Sequence, residues 1–154
     1  TQGSACFDVK ACLEIGSTLK CYTPFNKQVP IYPKIIGGSG QIGITVPPAA
    51  RVLIPTGLIF DIPKDHMMEM FIRSSVATKK GLVLVNSVGI IDSDYVDETH
   101  IIVHNMSDTI VIVSHGDRLA QCKISKVQQE ELTERKTAPK TKTDRKGGIG
   151  STGV

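Results

Sequence analysis

The sequence contains no tryptophan, and aromatics make up only 5% of its 154 residues. A core without large rings must be filled by aliphatic side chains, and the β-branched ones suit pleated, half-buried surfaces. No apolar run approaches the roughly 18 residues of a membrane-spanning helix, so no membrane role is expected. No long segment keeps a convincing 3.6-residue period, which argues against helical bundles and coiled coils. The four cysteines, Cys6, Cys12, Cys21 and Cys122, form no C-x-x-C pair, and no His/Cys spacing matches a zinc site. They read as small buried hydrophobes in a reducing compartment. Net charge is only +3, so the concentrated basic face of a nucleic-acid binder is missing and no nucleic acid is expected as a partner. No signal-peptide pattern precedes Thr1, and the sequon Asn105-Met106-Ser107 is discounted, so the expected location is the cytoplasm, or the nucleus for a eukaryotic or viral source.

What the sequence does hold is a series of short apolar runs punctuated by Gly, Pro, Asn and Asp. Residues 7–13, 51–54, 58–62, 67–72, 82–85, 101–103, 110–113 and 119–127 read as strands. Residues 74–80 have room for one or two helical turns. Many short strands spaced by turns predict a sandwich or barrel, most simply a jelly roll. Residues 19–43 read as an inserted loop or hairpin, because Pro24, Pro30, Pro33 and the three glycines from Gly37 to Gly40 interrupt them. Within them, Gly38-Ser39-Gly40-Gln41-Ile42-Gly43 fits G-x-G-x-x-G, but a strand and Pro47-Pro48 follow where a dinucleotide site needs a helix. The organisation is therefore a core over 1–127, a linker over 128–144 whose first part has room for a helical turn, and a glycine-rich arm over 145–154. From residue 135 onward six cations, Arg135, Lys136, Lys140, Lys142, Arg145 and Lys146, face only Asp144. They read as a solvated tail or as a mobile arm that brings positive charge to a polyphosphate.

The chemistry concentrates in Asn86-Ser87-Val88-Gly89-Ile90-Ile91-Asp92-Ser93-Asp94-Tyr95. Extended-chain alternation sends Asp92 and Asp94 to one side and Ser93 and Tyr95 to the other. The two carboxylates can share a metal, share a proton or do neither. Asp92 is the better base, directly after a glycine-containing strand that a ligand can approach, and Asp94 reads as structural. Two ionised carboxylates on one face repel, so one of them should have a partner such as Arg118. Arg73-Ser74-Ser75 at a strand end offers a guanidinium, two hydroxyls and backbone N–H groups, a phosphate cradle or equally a helix cap. His100 and His104 lie on an apolar strand and read as non-catalytic. Gln121 is a polar ligand or a buried hydrogen-bonding residue.

Five blocks, in order, resemble the five motifs of the trimeric all-β dUTPases. They are residues 5–11 (Ala-Cys-Phe-Asp-Val-Lys-Ala), 73–77 (Arg-Ser-Ser-Val-Ala), 86–98, 116–121 and 145–153, and Pro55-Thr56-Gly57-Leu58 matches a linking stretch. The resemblance implies a jelly-roll (β-clip type) subunit with a mobile C-terminal arm, assembled as a homotrimer with three active sites at subunit interfaces. One subunit would give the hairpin, a second the cradle and a third the arm. The implied reaction is hydrolysis of dUTP to dUMP and pyrophosphate with Mg²⁺. Asp92 would be the general base and Asp8 would hold Mg²⁺ through water. Arg73, Ser74, Ser75 and Gln121 would bind the triphosphate. Asn86 and the backbone of Gly89, Ile90 and Ile91 would read the uracil edge. Tyr95 would pack under the deoxyribose and exclude a 2′-hydroxyl. Arg145, Ile149, Gly150, Ser151 and Thr152 would close over the nucleotide.

The chain also departs from the family pattern. Ile149 stands where the family carries an aromatic that stacks on uracil, the last block is one residue shorter after Arg145, and Asp97 replaces a glycine. The 19–43 insert is unusual, and it either decorates the surface or contacts a partner protein. The nearest rival is dCTP deaminase, whose catalytic glutamate falls at Ile102, a side chain unable to act as acid or base. A jelly-roll binding protein without turnover is the second alternative.

Overall fold

Alternating burial builds most of the strands. Along His100–Asn105 and Arg51–Pro55 every second side chain is buried, and the buried ones meet across the ladder, Val52 opposite Val103 and Ile54 opposite Ile101. The computed structural model describes residues 2–38 and 40–144. In chain order the described elements are β1 (Phe7–Lys10), β2 (Leu19–Tyr22), β3 (Gln28–Ile31), β4 (Lys34–Ile36), β5 (Gln41–Val46), β6 (Arg51–Pro55), β7 (His66–Ile72), α1 (Ser74–Lys80), β8 (Leu82–Leu84), β9 (Gly89–Ile91), β10 (His100–Asn105), β11 (Val111–Ser114) and β12 (Arg118–Lys126). They form three sheets, ordered β1-β12-β7-β9, β3-β2-β6-β10-β8 and β11-β5-β4, all with antiparallel pairing. The fold is all-β with one short helix. No described helix is long and apolar enough to cross a membrane.

The core is aliphatic and sulfur-rich. Met68, Met70, Leu119, Ala120 and Cys122 of the first sheet are sealed, as are Val52, Ile54, Ile101 and Val103 of the second. Flexible thioethers fill the gaps that rings would otherwise fill.

The stretch 19–43 takes the hairpin form of the two expected, and part of it is built into the core. β2 and β3 make a hairpin, β2 pairs with β6 through Cys21 opposite Val52, and Leu19 and Cys21 are buried. Its turn is pinned by Arg51, whose Nη2 donates to the Asn26 side chain at 2.6 Å and to the Thr23 carbonyl at 3.2 Å. A second hairpin, β4–β5, fits tightly at Gly43, where an added Cβ would lie 2.8 Å from both Ile36 Cδ1 and the Val113 carbonyl oxygen. The prolines that suggest a loop are accommodated, with Pro30 on β3, an edge strand where a missing N–H is tolerated.

Three other expectations need correction. Residues 58–62 are not a strand; Leu58 and Ile59 are exposed and only Ile62 is buried. Residues 128–144 are exposed and carry no helical turn. Helix α1 starts after Arg73, whose extended backbone is the N-cap with no side-chain cap bond, so Ser74 and Ser75 do not cap it. Gly81, left-handed at φ 64°, ends the helix.

Candidate active site

The first half of the site forms where β9 lies against β7, with Gly89 opposite Met70 and Ile91 opposite Met68. A Cβ at Gly89 would sit 3.2 Å from Met70 Cβ and 3.6 Å from the Asn86 amide nitrogen, so glycine suits the close approach of the two strands. Ser87 takes a left-handed φ of 61°, and the Val88 N–H donates to the Asn86 carbonyl at 2.6 Å, which reverses the chain into β9. Asn86, Gly89, Ile90, Ile91, Asp92 and Tyr95 together line a pocket of about 250 Å³. Its remaining walls include Leu53, Ile102, Thr99 and His100. That volume is below the roughly 300–1,000 Å³ of clefts that engulf a drug-sized ligand, and it suits one ring and part of a sugar.

Strand β9 stops at Ile91. The Tyr95 N–H donates to the Asp92 carbonyl at 3.2 Å and closes a turn. The expected alternation over 92–95 is therefore broken. Asp92 and Tyr95 share one pocket, whereas Asp94 lines a separate hollow with Lys64 and His66, which Asp92 also borders. Tyr95 donates its hydroxyl to the Glu98 carbonyl at 3.0 Å, fixing the ring's outer end.

The second half lies on the outer face of the first sheet, where Asp8 of β1 stands opposite Gln121 of β12. Asp8 sits in a fork of two guanidinium groups: Arg73 Nε is 3.0 Å from Oδ1, and Arg118 Nη1 donates to Oδ2 at 3.1 Å. Arg118 thus pairs with Asp8, not with either hairpin aspartate. Arg73 Nη1 also donates to the Arg118 carbonyl at 3.2 Å. Asp8, Arg73, Ser74, Ser75 and Gln121 line an open, polar hollow of about 890 Å³, with Lys123 at its border. Lys123 pairs with Glu69 at 3.0 Å. The Ser125 hydroxyl and then Lys123 hold the Glu69 carboxyl below its usual range. Cys122, beneath this face, has its thiol pushed up to about 12 by burial.

These two halves share no lining residue. One gathers residues of β1 and β12 and of the 73–75 segment that follows β7, and the other is built on β9, with β1 at the opposite edge of the four-stranded sheet, roughly 14 Å away at the usual strand spacing. The cradle and the hairpin of one chain are therefore separate surfaces. Among the described residues no group of three His, Cys, Asp or Glu is arranged to hold a metal. Arg145, Ile149, Gly150, Ser151 and Thr152 lie outside the described residues. Sequence reasoning passes over His100 and Thr99 as pocket walls; the signal available was their place directly after the Asp92–Glu98 block, across the sheet from Pro55.

The dUTPase family profile matches residues 39–153. The deoxyuridine 5′-triphosphate nucleotidohydrolase of Rhizobium etli (strain CIAT 652) is 38% identical over 115 residues, 75% of this chain and 73% of that protein. That of Finegoldia magna is 37% identical over 143 residues, 88% of this chain and 98% of that protein. The crystal structure of the Streptococcus mutans dUTPase is similar with a TM-score of 0.64 and 25% identity, covering 86% of this chain and 85% of that one. A Staphylococcus bacteriophage 80alpha dUTPase mutant with dUpNHpp superposes with a TM-score of 0.70 at 17% identity, over 100% of this chain and 89% of that one. An aspartate-to-asparagine mutant of the phage phi11 dUTPase, described with a structural Mg(II) ion, gives 0.61 at 18% identity over 90% and 88%. The last two likenesses are of fold. The chain belongs to the dUTPase family.

Proposed function

We propose that the chain is a dUTP diphosphatase that hydrolyses dUTP to dUMP and pyrophosphate. The observation that carries this reading is the 250 Å³ pocket that gathers Asn86, the Gly89–Ile91 backbone, Asp92 and Tyr95. Uracil presents an N–H flanked by two carbonyls. The Asn86 side chain and the backbone of Gly89, Ile90 and Ile91 match that pattern. Cytosine reverses donor and acceptor and would leave buried polar groups unpaired, a misfit worth about 10⁴–10⁵ in selectivity. The close approach of Gly89 to Met70 leaves little space for a 5-methyl group.

Asp92 takes a proton from a water as its oxygen attacks the α-phosphorus. The new O–P bond forms as the bond to the bridging oxygen breaks, and pyrophosphate leaves with that oxygen. General-base catalysis of this kind is worth about 10²–10⁴-fold. Arg73, Ser74, Ser75 and Gln121 bind the triphosphate. Asp8 aims the Arg73 and Arg118 guanidinium groups at it. An ionised carboxylate offers about four acceptor sites, so the two bonds from Arg73 and Arg118 leave Asp8 able to hold a hydrated ion. Mg²⁺ usually keeps several waters and relies on substrate phosphates for the rest of its shell, which fits a site with one carboxylate. When bound, it supplies charge neutralisation on the phosphate oxygens. Arg145, Ile149, Gly150, Ser151 and Thr152 close over the nucleotide, with Ile149 giving apolar cover in place of ring stacking. A homotrimer completes each site, since hairpin and cradle lie apart within one chain.

Ile102 is part of the pocket wall, and an aliphatic side chain there speaks against deamination of dCTP. Pyrophosphate release measured across dUTP, dCTP, dTTP and UTP tests the reading. Turnover of dUTP alone, increased by Mg²⁺, is expected. Ammonia from dCTP, or no turnover with any nucleotide, would overturn it. The β2–β3 hairpin exposes Phe25 almost fully at its tip, and this is where a protein partner of the 19–43 segment would dock; deletion of the tip without loss of any partner in a pull-down counts against that contact.

A further inference from the structure

We infer that His100 is a positioning residue that holds Tyr95 upright and so sets the preference for deoxyribose over ribose; the inference rests on the dUTP reading above. The Glu98 carbonyl oxygen accepts two hydrogen bonds, from the Tyr95 hydroxyl at 3.0 Å and from His100 Nδ1 at 2.9 Å. A carbonyl only accepts, so Nδ1 carries the ring proton. Both lone pairs of that oxygen are then in use.

The peptide plane that bears this oxygen is clamped from behind. The Thr99 N–H, in the same plane, donates to the Leu58 carbonyl at 2.9 Å. The Glu98 carboxylate accepts the Gly57 N–H at 2.7 Å, and the Thr56 hydroxyl donates to the Thr99 carbonyl at 2.6 Å. Gly57 in this turn takes a left-handed φ of 69° and packs against Cys12, where an added Cβ would lie 3.0 Å from Sγ. His100 adds the bond made to the very oxygen on which Tyr95 hangs, and so fixes that oxygen's direction from the side of the ring.

The need for such a link lies in the space behind the ring. Tyr95 and His100, with Leu53, line both the 250 Å³ nucleoside pocket and a second hollow of about 430 Å³, whose far side includes Thr18 and Lys20. A tyrosine without its anchor has somewhere to go. Retreat into that hollow would open room for a 2′-hydroxyl.

The test is the ratio of kcat/KM for dUTP to that for UTP in wild type, His100→Ala, His100→Asn and His100→Gln, with thermal unfolding followed in parallel. Asparagine places its amide nitrogen close to the Nδ1 position, whereas glutamine reaches toward Nε2. The ratio should fall about fivefold in His100→Ala, the factor carried by one neutral hydrogen bond, mainly through faster UTP turnover. It should recover in His100→Asn and not in His100→Gln. A folded His100→Ala protein with the wild-type ratio would overturn the inference alone, as would equal loss in the Asn and Gln variants. If alanine prevents folding, the Asn–Gln comparison decides. Absence of dUTP turnover in the wild type would instead overturn the dUTP reading, and this inference with it.

Discussion

Asp92 directly follows Ile91, the last residue of β9, so its carboxylate is carried by a strand end pinned to β7. The turn closed by the Tyr95 N–H then holds its backbone from the other side. Replacement by asparagine keeps the shape and removes the proposed base. Asp92→Asn should bind a non-cleavable dUTP analogue with near-unchanged affinity by titration calorimetry, while pyrophosphate release falls about 10²–10⁴-fold. Near-normal turnover would take Asp92 out of its role. The cysteines separate in the same residue-level way. Cys6 and Cys12 are partly accessible, whereas Cys21 and Cys122 are buried. Burial raises the Cys122 thiol from 9.0 to about 12, which leaves about 10³-fold less thiolate at neutral pH. A short pulse of a thiol alkylator on the native protein, read by peptide mass spectrometry, should therefore label Cys6 and Cys12 well ahead of Cys122; early labelling of Cys122 would mean the first sheet opens easily.

At the scale of elements, β-branched and leucine runs with turn residues between them made β6, β7, β8, β10, β11 and β12 legible in the sequence, within a residue or two at most ends. The pattern misled where local and long-range signals disagree. Residues 58–62 are apolar enough for a strand but have no strand partner. The 19–43 segment looked broken because proline and glycine dominate it, yet its pairing partners, β6 and β11, lie far along the chain. Grouping of the site was legible from motif order. The partners within it were not: Asp8 and Arg118 are 110 positions apart, and Gly57 and Glu98 are 41 apart, distances at which period and propensity are silent. The buried β2 gives a stability prediction. Leu19 is 4% exposed, so Leu19→Ala should lower unfolding free energy by about 2–5 kcal/mol in a denaturant titration. A surface decoration would show a change within about 0.5 kcal/mol.

For the whole molecule, the arrangement of the two half-sites is the main consequence of the fold. A sheet ordered β1-β12-β7-β9 puts Asp8 and Gln121 near one edge and the Asp92 hairpin at the other. On the proposed reading, such chains form a working site by setting one chain's hairpin against another chain's cradle. This claim separates cleanly from the identity of the substrate, because two different lesions can be combined. On that reading Asp92→Asn disables the hairpin and Arg73→Ala the cradle. The most direct measurement is dUTP turnover after the two inactive variants are unfolded together and refolded as a mixture, with each variant refolded alone as the reference. Activity that returns in the mixture is the predicted result, because some sites then combine an intact hairpin from one chain with an intact cradle from another. A mixture as inactive as its two components, from proteins that refold to the native oligomer, would place Asp92 and Arg73 of each site in one chain and contradict the account.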